Sequence, residues 1–166
     1  NHDGNGTTTW MVLSGGGIGT HIMNTETNIG GWEASEMRTW LNGDVYNSMS
    51  NKEYIKKVTK MTNNAGSKGT KASGTTDMLF LLSAKEVNVS NQIIASDWYP
   101  NKYKAVCEEE GFTYEWFENN KVNSWFWIRS SLPSDDKCFA VVSVNNEVGF
   151  EYANVKHTTM PAFVIG

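Results

Sequence analysis

With 166 residues, 39% of them apolar and 19% charged, the chain is long enough to bury one core, and no apolar run approaches the ~20 residues that cross a bilayer. Fourteen basic against 18 acidic side chains leave a net charge of -4, which excludes the basic footprint of a nucleic-acid binder. Three scattered histidines and two cysteines offer neither a four-thiolate site nor a histidine pair at helical spacing, so no metal or cofactor is expected.

The chain opens at Asn1 with neither an initiator methionine nor a signal-type segment, which predicts a single domain over 1–166 cut from a longer protein. The first apolar run, "TTTWMVLS", reads as a strand stopped by "GGGIG". Those glycines lack the Lys-Ser/Thr ending of a phosphate cradle. "EASEMRTWLNG" carries Met37, Trp40 and Leu41 at helical spacing with Gly43 just beyond, which predicts a short amphipathic helix ending there. Ser50 and Glu53 stand at capping-box spacing, predicting a second helix, and "VTKMT" either finishes it or opens a strand.

"NNAGSKGTKASGTT" has no apolar period and reads as a long surface loop. "DMLFLLS" reads as a buried strand, and Ser83 with Glu86 repeats the capping-box spacing to turn the corner into a helix. From Asn88 to Asn120 the aromatic residues are irregularly spaced among Asn, Lys and Glu, as on a long surface excursion; within it "EEEGFTYEWFEN" fits a half-buried strand or a ring-lined groove. Then "SWFWIRS", "CFAVVSV", "VGFEYANV" and "MPAFVIG" follow across short polar breaks, an antiparallel set of strands with a turn at "VNNEVG". Helices gathered early and hairpins late define an α+β domain.

The order "NHDGNG", "MNTETNIGGWEASEMRTWLN", "FLLSAKEV", "EEEGFTYEWF", "WFWIRSS" and "MPAFVIG" resembles an uncharacterised family of Firmicutes surface proteins and prophage structural proteins, over nearly the whole chain. The resemblance implies a C-type lectin-like fold, two short helices packed on a twisted antiparallel sheet with long loops. Phage tropism proteins and formylglycine-generating enzymes share that scaffold. Thr159-Met160 replaces the Gly-Val that usually precedes the closing proline, and the usual Trp-Trp pair is spread over Trp125, Phe126 and Trp127.

On a strand, Trp125 and Trp127 share one face and Phe126 and Ile128 the other, so one indole can face a ligand while the rest pack. The candidate binding set is Trp125, Trp127, Arg129, Asn145, Asn146 and Tyr152. The competing reading buries both strand faces and sets Arg129 to lock loops through carbonyls or a carboxylate. Arg38, beside Trp40 on the first helix, is expected to be an ion-pair partner. Asp135 and Asp136 bring too few oxygens for calcium and read as a solvated turn, and the Glu-Pro-Asn and Trp-Asn-Asp strings of sugar-binding C-type lectins are absent. Cys107 and Cys138 pair only if the fold brings them together; neither sits in a nucleophile signature, so no catalytic residue is expected. The expected function is non-enzymatic recognition of a glycan or surface protein, extracellular, on a bacterial surface or virion. The rival is a structural piece of a phage tail or stalk that binds copies of itself, and the remoter rival an enzyme related to the formylglycine-generating fold.

Overall fold

The computed structural model describes residues 8–12, 17–62, 66, 73–87, 116–120, 122–133 and 135–166. It is a mixed α+β structure dominated by antiparallel strands. Three sheets form: β1 (Thr8–Met11), β10 (Ala162–Ile165) and β3 (Ile55–Lys56) in the order β1-β10-β3; β2 (Thr20–His21), β9 (His157–Thr158), β6 (Phe126–Ser131), β7 (Cys138–Val142) and β8 (Val148–Tyr152) in the order β2-β9-β6-β7-β8; and a hairpin of β4 (Val58–Thr62) with β5 (Ser73–Asp77). The first and last strands therefore lie side by side, with Thr8 opposite Ile165 and Met11 opposite Ala162.

The expected first helix is present as α1 (Glu36–Trp40), capped by Ser35, whose Oγ accepts from the Arg38 N–H. It does not stop at Gly43. The chain continues through a π turn, Leu41–Val45, into α2 (Tyr46–Ser48). Asn42 supplies the reason: its amide donates to Arg38 O and Leu79 O and accepts from the Met78 and Leu79 N–H groups, so the widened turn is stitched to the segment after β5. Met37 and Leu41, one turn apart, are sealed from water as the apolar stripe requires.

The second helix expected from Ser50 is only a single 3-10 turn, Lys52–Tyr54. Asn51 ahead of it takes the left-handed conformation and Ile55 after it is already extended, so no longer helix follows. "VTKMT" opens a strand, and the end of the stretch read as loop, "SGTTD", pairs with it from Val58↔Asp77 to Thr62↔Ser73. "MLFLL" in turn is buried without being a strand: Phe80 makes one bridge to Ala162, with N–H···O distances of 3.0 and 2.7 Å. A continuous apolar run marks burial and leaves the backbone partner open.

The C-terminal strands follow expectation, with β6, β7 and β8 antiparallel and the turn at Asn146 taking φ 59. β9 departs from it, pairing with β6 in parallel. β6 is buried along its whole length. Helix α3 (Trp116–Asn119) brings Phe117 against Phe126 at 6.5 Å, while on the other side Trp127 meets His157. Phe112, Tyr114 and the rest of the aromatic excursion from Asn88 to Tyr114 lie outside the described residues, as does Cys107; Cys138 is a free thiol.

Candidate functional site

The register of β6 on β7 slips between Trp127 and Ser131, freeing the middle of the strand from β7. That freed stretch takes the Leu81–Ala84 corner instead: Arg129 N donates to Leu82 O, the Arg129 guanidinium to Leu81 O, and Ser130 Oγ accepts from Ala84 N. Within the corner the capping box closes as its spacing predicts, Ser83 N–H on Glu86 Oε2 at 2.8 Å and Glu86 N–H on Ser83 Oγ at 3.2 Å. Glu86 also binds Arg129 and, at 2.5 Å, Lys60 from β4. Burial would raise the Glu86 pKa, but the charges of Arg129 and Lys60 outweigh it and hold the carboxyl near 2. This triad is wholly inside the protein. A second buried carboxylate, Asp77, accepts from Trp32 Nε1, Arg38 Nε and Thr75 Oγ1, so Arg38 is the expected ion-pair partner.

Open surface is found on both faces of the five-stranded sheet. On one, the Trp125 ring is 45% exposed and lies against β8 at Gly149, where an added Cβ would stand 3.5 Å from its Cζ3. His157 stacks beside it, centroids 6.3 Å apart, and meets buried Trp127 edge-on at 4.9 Å. Trp127 Nε1 donates to His21 O, and His21 stacks on Trp40 at 4.2 Å. A chain of ring contacts, joined by one backbone hydrogen bond at His21, thus runs from the surface at Trp125 to α1.

On the other face, Tyr152 is 56% exposed at the end of β8 and walls a cleft of about 610 Å³ with Thr25, Glu26, Thr27, Asp136, Lys137, Ala153 and Asn154. Three segments build it, and backbone bonds tie them: Ala153 N–H reaches Lys137 O at 2.7 Å, and Ala153 O accepts from Met23 and Asn24. Asn28, sealed from water, ties down Leu132, Asp135, Asp136 and Cys138 by donating through its amide to Leu132 O, Asp135 O and Cys138 O, and through its N–H to Asp136 O. Thr27 Oγ1 adds a bond to Asp136 O. Glu26, Asp136, Lys137, Asn154 and Tyr152 give the cleft lining two acidic, one basic, one amide and one phenolic side chain. Just behind it, burial and then the nearby Asp135, Glu151 and Asp136 carboxylates push the Cys138 thiol up to about 12.

The six residues proposed from sequence are not one site. Trp127 and Arg129 are inside, the latter locking loops through a carboxylate and carbonyls. Asn146 holds α3 by donating to Phe117 O and Asn120 O, with Asn145 exposed beside it in the same turn. Trp125 and Tyr152 remain open, on opposite faces, since Gly149 and Tyr152 differ by an odd step along β8. Sequence reasoning passed over Glu26, Lys137 and Asn154, and took Asp136 as part of a solvated turn. Among the described residues no group of three or more His, Cys, Asp or Glu is placed to hold a metal ion. Asp135 and Lys137 form a local turn, Asp135 Oδ1 accepting from the Lys137 N–H at 2.7 Å.

An α+β scaffold with paired charges buried inside and a mainly polar cleft walled by one tyrosine outside is the class these observations define. The chain belongs to the family described as a domain of unknown function, DUF6273, whose model matches residues 7–165. No curated protein and no solved structure matches it.

Proposed function

We propose that this is a non-enzymatic recognition domain of C-type lectin-like fold, displayed outside the cell on a bacterial surface or a phage particle, and that its Tyr152 cleft binds a glycan. The lectin-like reading is supported by the pairing of the first and last strands and by α1 lying over the antiparallel sheet. One observation carries the ligand: a tyrosine more than half exposed shares a cleft with two acidic residues, a lysine and an asparagine. Sugars present an apolar ring face for stacking and hydroxyls that both donate and accept, and this lining answers both. Catalysis by Cys138 is disfavoured, since its thiol, held near 12, stays protonated at neutral pH and is a poor nucleophile.

A glycan array probed with the wild type and with Tyr152→Ala tests the reading. The wild type is expected to bind a restricted set of glycans, and the variant to bind them about threefold to tenfold more weakly, the worth of one stacked ring. No bound glycan, or binding unchanged in the variant, removes the glycan assignment.

A self-assembling structural domain is the second reading, favoured by Trp10 on edge strand β1 and by Tyr54, both more than half exposed. Light scattering across a concentration series decides it: a monomer throughout rejects assembly through this sheet, and a dimer dissociated by Trp10→Ser supports it.

A further inference from the structure

The surface at Trp125 is separate from the Tyr152 cleft and has different chemistry. The described groups around it are one indole, one imidazole and one carboxylate. Gly149 and Glu151 are two steps apart on β8 and so project to the same face, and the Trp125 ring lies at Gly149. His157 on β9 stacks on Trp125 and feels the charge of Glu151. Burial lowers the His157 pKa against the pull of Glu151, so the imidazole carries little positive charge at neutral pH. Its Nε2 is buried and has no hydrogen-bond partner. The face therefore carries an exposed indole on the same side of the sheet as an anion, a combination that attracts cations.

We infer that Trp125 and Glu151 form a second binding site, one that takes the guanidinium of an arginine side chain from a partner protein. The choice among cations follows from the geometry. A quaternary ammonium, which has no N–H, is held by several rings enclosing it, whereas here a single ring is open and a carboxylate stands at its edge. A guanidinium is planar, so it lies flat on the indole while its edge N–H groups donate to Glu151; an ammonium satisfies the carboxylate without covering the ring. His157 packs beside the indole, and its burial disfavours the charged imidazolium.

The test is a titration of the whole chain, labelled with nitrogen-15 at tryptophan, with a short capped peptide carrying one arginine, and in parallel with the same peptide carrying citrulline, its neutral isostere. The Trp125 indole resonance is assigned by its loss in Trp125→Phe. It is expected to shift with the arginine peptide, with citrulline binding at least about threefold more weakly, as loss of an exposed charge contact implies. Glu151→Gln should weaken the arginine peptide by a similar factor while the other six indole resonances of the seven tryptophans stay in place, which certifies the fold. Tyr152→Ala should leave the titration unchanged, so this site and the cleft stand or fall separately. The assignment is overturned if the Trp125 resonance does not move, if citrulline binds as tightly, or if Glu151→Gln binds as the wild type does.

Discussion

Glu86 carries three jobs at once: it closes a capping box, neutralises Arg129 and neutralises Lys60, all away from water. Removing one member of such a group leaves an uncompensated buried charge. Glu86→Gln is therefore expected to cost about 3–5 kcal/mol, read from urea denaturation midpoints at constant slope. The same residue sets an acid limit. Its folded pKa, about 2, lies below the ordinary 4.5, so its contribution of about 3 kcal/mol is fully present above pH 4.5 and fades as pH falls toward 2. Denaturant melts taken between pH 6 and 2 should lose that increment in the wild type; Glu86→Gln should start lower and lose less over the same interval. At this scale the sequence was partly legible. Ser83 and Glu86 declared their capping box through spacing alone, since both partners are local. Arg129 could be read either as a ligand contact or as a lock, because the carboxylate that decides is 43 positions away.

The bulge in β6 explains why "FLLSAKE" and "WFWIRSS" belong together. Where β6 leaves β7, its backbone and its Arg129 and Ser130 side chains take the hydrogen bonds of the corner at 81–84. Neither segment could satisfy its polar groups inside the core without the other. The π turn does similar work for the helix, through Asn42. Asn42→Ala would orphan the Met78 and Leu79 N–H groups, and is expected to cost about 2–4 kcal/mol, checked by thermal unfolding, whereas a substitution at exposed Asn47 one turn along should change little. Elements whose identity rests on local periodicity, such as α1 and the β7–β8 hairpin, could be read from the chain. Those whose identity rests on a distant partner could not: β5 hid in a polar, glycine-rich stretch because its polar residues alternate on a hairpin, with Thr75 and Asp77 turned inward to bond Lys60 O, Trp32 and Arg38. "MLFLL" erred the other way, since its apolar side chains announce burial whatever the backbone does.

For the whole molecule, the two proposed binding faces are held by one sheet. β8 carries Tyr152 toward the cleft and Gly149 and Glu151 toward the Trp125 face, so a shift of β8 along β7 would disturb both. Val142↔Val148 closes its hairpin, and Asn146 enforces the turn with a positive φ and two bonds to the chain around α3. Asn146→Ala is expected to destabilise the domain by about 1–3 kcal/mol and to blur the Trp125 and Tyr152 environments together, seen as broadening of both side-chain resonances. The cleft itself was hidden from sequence because its walls come from residues 25–27, 136–137 and 152–154, polar segments that each look like ordinary solvated turns. Only Tyr152 stood out, as an aromatic residue among them.

The pairing of β1 with β10 has a mechanical meaning. Thr8 and Ile165 sit opposite each other at one end of an antiparallel ladder, so tension applied through that pair loads the inter-strand bonds one after another, as in a zipper, rather than all together. A domain tethered and tugged at those two points should open at low force from β1 inward, while the buried Glu86 knot and the β6–β7–β8 sheet stay shut until later.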